Sequence, residues 1–476
     1  MSNQSEAIQP ALRKVPSGID GLDEITGGGL PAGRPTLVCG GPGSGKTLVG
    51  LSFLVNGARH YGEPGVLLSF EESARDLASD VASLGFDLPR LVAEGQLFVD
   101  YVHIDRSEIE ETGEYDLEGL FVRLDHAVRS VGARRVVLDT VESLFGGLSN
   151  ESILRTELRR LLRWLKDRNL TTVITGERGT QTLTRQGLEE YVTDAVILLD
   201  HRVREELSTR RLRIVKYRGS FHGTNEYPFL IDRQGVSVLP VTALKLDHPA
   251  STERVSSGVP AVDEMLGGQG FYRGSTVLLS GTAGTGKTSL AACFADATCR
   301  RGERCVYFLL EESPLQMIRN MSSIGVDLGQ WSQRGLLNLH AERPSRFGLE
   351  AHLAAMYRTI DEVRPEAVVV DSITDLLSLG GEAEVRAMLT RLIDYLKTRG
   401  VTVLFSSLSP GSIGLQETHA GVSSLMDAWI LLTLERTGDA RRRQISVLKA
   451  RGMAHSSRVC EFTMTEQGFQ FVVPEG

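Results

Sequence analysis

Two stretches combine residue types and spacing suited to phosphate chemistry. They are Gly40-Gly41-Pro42-Gly43-Ser44-Gly45-Lys46-Thr47 and Gly281-Thr282-Ala283-Gly284-Thr285-Gly286-Lys287-Thr288. Each fits the pattern G-x-x-x-x-G-K-[ST], follows a short apolar run and precedes a helix-compatible segment, residues 48–58 and 289–299. Glycines let backbone N–H groups curl around phosphate oxygens, and the helix N-terminus adds positive potential. The nucleotide-binding candidates are therefore Gly41, Gly43, Ser44, Gly45, Lys46, Thr47 and Leu48, then Thr282, Gly284, Thr285, Gly286, Lys287, Thr288 and Ser289. Lys46 or Lys287 would reach the β- and γ-phosphates, and the hydroxyl of Thr47 or Thr288 would ligate Mg²⁺. Two such loops at matching places in a repeat predict a chain that binds nucleoside triphosphate, ATP with its Mg²⁺, twice.

Carboxylates recur with the loops. The apolar runs Arg135-Val136-Val137-Leu138-Asp139 and Ala367-Val368-Val369-Val370-Asp371 each end in an aspartate. Ligands of open α/β sheets collect at such carboxyl ends, so Asp139 and Asp371 are candidates to hold Mg²⁺, usually through water. Two further runs, Val66 to Ser73 and Val306 to Ser313, carry Glu71-Glu72 and Glu311-Glu312. Adjacent carboxylates that prolong a strand point to different faces. One of each pair would then activate the attacking water or hydroxyl, and the other would serve structure or metal, with Glu312 among the metal candidates. Basic pairs recur as well: Lys216 with Arg218, and Lys449 with Arg451. Alternate spacing places both cations of a pair on one strand face, where they can neutralise charge developing on a γ-phosphate, often across a subunit interface.

The elements that must position these groups are duplicated too. Val15-Pro16-Ser17-Gly18-Ile19-Asp20 opens one half and Val255-Ser256-Ser257-Gly258-Val259-Pro260 the other, and the loop lysines lie 241 positions apart. The repeating unit is thus a whole domain rather than a solenoid repeat. Amphipathic leucine spacing predicts helices over residues 153–168 and 385–399, with Gly400 as a stop signal. Short, continuous apolar strands alternate with helices, which predicts an α/β fold with a mainly parallel sheet covered on both faces. Each half should finish in antiparallel strands. The expected division is a flexible tail over residues 1–11, one domain over 12–246 and a second over 247–476.

Composition excludes several classes. The chain has 476 residues, a net charge of −8, 41% hydrophobic and 24% charged residues, as ordinary globular proteins do. The acidic balance gives no bulk pull toward nucleic acid or anionic membrane. No apolar run approaches the ~20 residues that cross a bilayer, and residues 1–10 lack the apolar core of a signal peptide. The five cysteines show no C-x-x-C spacing and are read as reduced core thiols, which suits a cytoplasmic location.

The order of these elements resembles the RecA-type ATPases and, specifically, the duplicated KaiC family of circadian-clock ATPases. The resemblance spans roughly residues 12–465 and rests on the two phosphate loops, Phe70-Glu71-Glu72-Ser73, Leu310-Glu311-Glu312-Ser313, the two Lys-x-Arg-Gly segments and Glu226-Tyr227-Pro228-Phe229. It implies two tandem RecA-like P-loop NTPase domains, stacked as a double-ring homohexamer with ATP between subunits. Glu71 or Glu72 would be the base in the N-terminal ring, and Glu311 or Glu312 in the C-terminal ring. Lys216, Arg218, Lys449 and Arg451 would come from the neighbouring protomer, with His222 near the N-terminal nucleotide. The family also phosphorylates itself on adjacent hydroxyl residues before an apolar strand. Ser423-Ser424 occupy the matching place here, before Leu425 to Ile430. A KaiB-like or other signalling protein is the implied partner. Only Pro474-Glu475-Gly476 follow Val473, so the C-terminal extension that receives the clock protein's stimulating partner looks absent, which puts that regulation and a circadian role in question.

Two other functions compete. A RecA-like DNA motor would hold single strands on the loops at residues 176–190 and 409–421. Arg178 and Arg185 favour it, but neither loop has an aromatic for base stacking. A ring that hydrolyses ATP without kinase activity is the other.

Overall fold

The computed structural model describes residues 12–102, 117–144, 151–179, 182–184, 192–204, 207–233, 235–240, 250–346, 348–409, 422–437 and 440–472. Internal contacts divide the chain into two units, Met1–Thr242 and Ala243–Gly476.

The first unit contains β1 (Lys14–Val15), β2 (Leu30–Pro31), β3 (Pro35–Gly40), β4 (Gly65–Ser69), β5 (Leu97–Tyr101), β6 (Arg135–Asp139), β7 (Thr171–Glu177), β8 (Ala195–Arg204), β9 (Leu207–Tyr217), β10 (Glu226–Asp232) and β11 (Gly235–Val238). Its nine-stranded sheet runs β11-β10-β9-β8-β3-β7-β6-β4-β5, parallel from β8 to β5 and antiparallel from β8 to β11. The second unit repeats this with β12 (Arg254–Val255), β13 (Phe271–Tyr272), β14 (Thr276–Gly281), β15 (Cys305–Leu309), β16 (Leu337–Ala341), β17 (Ala367–Asp371), β18 (Thr402–Leu408), β19 (Ala428–Thr437), β20 (Ala440–Ala450), β21 (Cys460–Thr465) and β22 (Gly468–Phe471). Its order is β22-β21-β20-β19-β14-β18-β17-β15-β16, the same path through space. The expected architecture is therefore present twice: each unit is a RecA-like P-loop domain.

Period-two alternation explains the layers. Val38, Leu67, Val137 and Val173 enter one buried cluster, while Leu37, Val66, Val136 and Ile174 enter another on the opposite face. Strands buried on both faces must be apolar at successive positions, which is why they read as continuous runs. The helices expected at 153–168 and 385–399 are Glu151–Asp167 and Glu382–Thr398, and Gly400 follows the latter with φ 67°. All five cysteines are free thiols. Burial pushes the Cys293 and Cys299 thiols up to about 12, so they stay protonated as small apolar groups.

A carboxylate–lysine brace joins each sheet to a covering helix. Asp427, just before β19, accepts from the Thr276 backbone N–H and hydroxyl, each at 2.9 Å, and pairs with Lys397 at 2.9 Å. In the first unit Asp194 pairs with Lys166 at 2.5 Å and Arg34 at 3.5 Å, without the threonine bonds among the described residues. Burial alone would raise the Asp427 carboxyl, but the bonds from Lys397 and Thr276 outweigh it and hold the group below its ordinary range. A lowered folded-state value adds stability above the unfolded carboxyl value of ~4, and that stability fades as pH falls through the folded value. Asp427→Asn is therefore expected to cost about 2 kcal/mol at neutral pH, with the gap to wild type closing below about pH 4. Urea unfolding at pH 7 and pH 3 checks it.

Candidate functional site

Both phosphate loops leave their helices open at the N-terminus. The helices span Lys46–Tyr61 and Lys287–Arg300, two residues earlier than the apolar pattern suggested. They begin at the loop lysines because Gly45 (φ 98°) and Gly286 (φ 102°) end the loops in the left-handed region, after which helical geometry can start at once. At the φ of Gly45 any side chain would be strained, and a Cβ would stand 2.7 Å from Ile231 Cδ1, so glycine is favoured here. No side chain caps either helix and no acidic residue occupies either first turn. The first N–H groups and the positive end of the helix dipole therefore remain for an anion, which is what a nucleotide phosphate requires. The Ser44 hydroxyl is buried without a hydrogen-bond partner among the described residues. The lysines fold back over their loops: Lys46 Nζ donates to the carbonyls of Gly40 and Gly41, both at 3.1 Å, and Lys287 Nζ to those of Gly281 (3.0 Å) and Thr282 (2.9 Å). Burial lowers the Lys287 ammonium, against the attraction of Asp371 and Glu311 nearby.

The strand-ending aspartates lie beside these loops. Asp139 is 6% exposed and accepts hydrogen bonds from the hydroxyls of Thr175 and Thr47. Burial is the largest influence and raises its carboxyl, while those bonds and Lys46 oppose the rise. Asp371 accepts from Ser406 and, at 2.9 Å, from Tyr307. Both aspartates are followed by a cis peptide bond, Asp139–Thr140 and Asp371–Ser372. Thr47 and Asp139 thus form a hydroxyl–carboxylate pair of the type a hard divalent cation takes. Among the described residues no group of three or more His, Cys, Asp or Glu side chains forms a protein-only metal cage.

The glutamate pairs require one correction. They do not prolong their strands: β4 stops at Ser69 and β15 at Leu309. Ser73 and Ser313 cap the next helices, with Ser313 in a full capping box, and draw the chain out of the sheet before the carboxylates. The members of each pair nevertheless diverge. Glu71 accepts from the hydroxyls of Thr140 (2.7 Å) and Ser143 (2.8 Å), whereas the Glu72 carboxyl is raised, first by burial and then by Asp80 and Asp139. In the second unit Glu311 shares a hydrogen bond with Asp375, and that bond, followed by burial, raises its carboxyl to about 7. Asp375 is itself held by the Ser372 hydroxyl at 2.9 Å, and Glu312 accepts from Asn320 at 3.3 Å. Ser143 and Asp375, four residues after the strand-ending aspartates, were missed in the sequence. Their repeat position was a usable signal, but the change from hydroxyl to carboxyl concealed the shared role.

The basic pairs and the hydroxyl pair collect elsewhere. β9 ends at Tyr217 and β20 at Ala450, so Lys216 and Lys449 are on strands but Arg218 and Arg451 are not. Each arginine already lies in the turn, tied by its N–H to the carbonyl of Asp194 or Asp427, yet Lys449 and Arg451 still reach the same turn, at Ser423 and Ser424. Lys216 Nζ donates to the Thr193 carbonyl at 2.7 Å and Lys449 Nζ to that of Ser423 at 3.0 Å. Ser423 and Ser424 lie in a 3₁₀ turn, Val422–Leu425, where Arg451 donates to the Ser424 carbonyl (2.8 Å) and Arg386 to its hydroxyl (3.3 Å). His222 stacks on Tyr217 with centroids 6.1 Å apart.

Register fixes how far these groups lie from the loops. β19 runs parallel to β14, with Ala428 opposite Val277 and Leu432 opposite Gly281. Ser423-Ser424 precede β19, whereas the phosphate loop follows β14. The six residues of β14 span roughly 20 Å. Loop, aspartate and glutamates therefore occupy one edge of each sheet, and the cations with Ser423-Ser424 occupy the other. Of the loops proposed for DNA, residues 180–181, 185–190 and 410–421, Arg185 included, lie outside the described residues. Arg178 pairs with Asp200 at 3.4 Å.

Comparison with known proteins agrees with this construction. The family model described as KaiC ATPase matches residues 15–243 and 255–475. A circadian clock protein KaiC2 of Synechocystis sp. (strain ATCC 27184 / PCC 6803 / Kazusa) is 52% identical over 474 residues, which cover 99% of this chain and 83% of that protein. The circadian clock oscillator protein KaiC of Synechococcus elongatus (strain ATCC 33912 / PCC 7942 / FACHB-805) is 37% identical over 470 residues, 98% of this chain and 90% of its own. That of Picosynechococcus sp. (strain ATCC 27264 / PCC 7002 / PR-6) is 36% identical over 470 residues, with 98% and 91% covered. Two phosphate loops on two copies of one sheet, matched along nearly the whole chain, place it in a single family: the chain belongs to the KaiC ATPases.

Proposed function

We propose that this ATP-hydrolysing protein is a serine autokinase whose second-unit site is completed by another copy of the chain. The observation that carries the reading is the roughly 20 Å of sheet between each phosphate loop and the acceptor and cation groups of the same unit. A γ-phosphate held at Lys287 cannot meet Ser423 or Ser424 of its own chain across that span. A head-to-tail ring joins the two edges, and the homohexamer of the resemblance is such an assembly. Lys216, Arg218 and His222, or Lys449 and Arg451, then approach the neighbour's nucleotide and offset charge on the transferring phosphoryl group. Glu311 takes the proton from the attacking serine or water, its near-neutral carboxyl suiting a general base, and Glu71 does so in the first unit. The serine oxygen bonds the γ-phosphorus as the bond to the departing ADP breaks. Thr47 with Asp139, and Thr288 with Asp371, would hold Mg²⁺, which supplies charge neutralisation at the phosphates. A timing or signalling role is supported by the relatives being circadian clock proteins; a KaiB-like or other signalling protein would then be its partner, and the reduced thiols favour the cytoplasm.

Incubation with Mg²⁺ and ATP followed by phosphopeptide mapping tests the kinase reading. Phosphate on Ser423 or Ser424 is expected. ATP turnover with neither serine modified would leave an ATPase without kinase activity.

A further inference from the structure

The duplication supplies an internal control for one place far from the phosphate loops. At the edge where β3, β4, β6 and β7 begin, the first unit has a cleft of about 400 Å³ whose lining includes Arg13, Arg134, Arg168, Ala32 and Glu63. The same place can be identified in the second unit from backbone bonds. The Ala32 N–H donates to the Arg13 carbonyl at 3.0 Å, and the Arg273 N–H to that of Glu253 at 2.9 Å. The Arg134 N–H donates to the Pro64 carbonyl at 2.9 Å, and the Glu366 N–H to that of Arg304 at 2.9 Å. Arg13, Ala32 and Arg134 thus stand where the second unit has Glu253, Arg273 and Glu366.

These exchanges reverse the chemistry. In the second unit Arg273 bonds Glu253 at 2.7 Å and Glu303 at 2.5 Å, so its side chain lies within a closed ion network. In the first unit alanine removes that side chain, and arginines stand in place of Glu253 and Glu366. Glu63, the counterpart of Glu303, is already taken by the buried Arg135 at 2.8 Å, so it does not neutralise the cleft. Arg168 pairs with Asp125 at 3.2 Å, and Arg13 and Arg134 form no ion pair among the described residues. Arg13 and Arg134, beside a polar cleft and without matching carboxylates among the described residues, favour oxyanions, which arginines bind with paired N–H donors.

We propose that this cleft is a binding site for a small multivalent oxyanion, a metabolite carrying phosphate or carboxylate groups. Its volume is of the order that holds small ligands, and it lies at the edge of the sheet opposite the first unit's phosphate loop. The residues that form it belong to none of the nucleotide-handling groups.

Equilibrium dialysis tests the site with 3-phosphoglycerate as the probe. Both phosphate loops are first saturated with a non-hydrolysable ATP analogue and excess Mg²⁺. Saturable uptake of one molecule per chain is expected. The variant Arg13→Glu, Ala32→Arg installs the second unit's plug together with its carboxylate and should weaken uptake about tenfold or more, with thermal unfolding and ATP turnover unchanged. Should that variant fold poorly, Arg134→Glu is read in the same way. No saturable uptake by wild type, or uptake unchanged in the folded variant, overturns the proposal.

Discussion

Glu311→Gln should abolish most phosphoserine formation, with a loss of about 10²–10⁴-fold, the range for removing a general base. The amide is nearly isosteric and can still bond Asp375, so nucleotide binding at the second loop should persist. Glu71→Gln is expected to remove hydrolysis in the first unit by a similar factor and to leave phosphoserine formation intact. Glu312→Gln should cost much less, because Glu312 is turned toward Asn320 rather than toward Asp375. Single-turnover phosphate release and phosphopeptide yield, measured for all three variants, check this ordering. Equal losses in Glu311→Gln and Glu312→Gln would remove the distinction within the pair.

Lys287→Ala carries the second large effect. Lys287 is 7% exposed, and its ammonium is held over the loop by two carbonyls, so it is fixed in place before a phosphate arrives. Its removal takes away a positioned charge where negative charge develops, a change worth about 10²–10³-fold in turnover. Lys46→Ala should do the same in the first unit alone, because each loop is served by its own sheet, aspartate and glutamate pair. Residual ATPase activity in each single variant should therefore equal the activity of the intact unit, and the double variant should retain almost none. Simultaneous loss of both activities in either single variant would contradict independent sites.

Much of this was legible in the sequence because the relevant signals are local. A phosphate loop is eight contiguous residues, and doubly covered parallel strands read as apolar runs, so sheet, loops and strand-ending aspartates followed directly. The glutamate pairs were found but misplaced by a few residues of strand, since Ser73 and Ser313 act on the backbone through caps rather than through apolar pattern. Asp375 escaped notice because its importance is a single contact with Glu311, 64 positions away in the chain. The separation of acceptors from loops was equally hidden: it depends on which end of β19 lies beside which end of β14, a matter of register. The anion cleft needed both units side by side, since Ala32 and Arg13 mean little without Arg273 and Glu253 as their counterparts.

The central claim is that the second-unit site is built from two copies of the chain, and mixed assemblies test it most directly. One protomer carries Lys287→Ala, which cannot use ATP in that unit but keeps Ser423-Ser424. The other carries Ser423→Ala with Ser424→Ala, which uses ATP but offers no acceptor. Co-expressed and incubated with Mg²⁺ and ATP, the pair should place phosphate on the Lys287→Ala chain, although neither protein alone is labelled. If co-assembled chains remain unlabelled while wild type is phosphorylated, transfer occurs within one chain and the shared site is wrong.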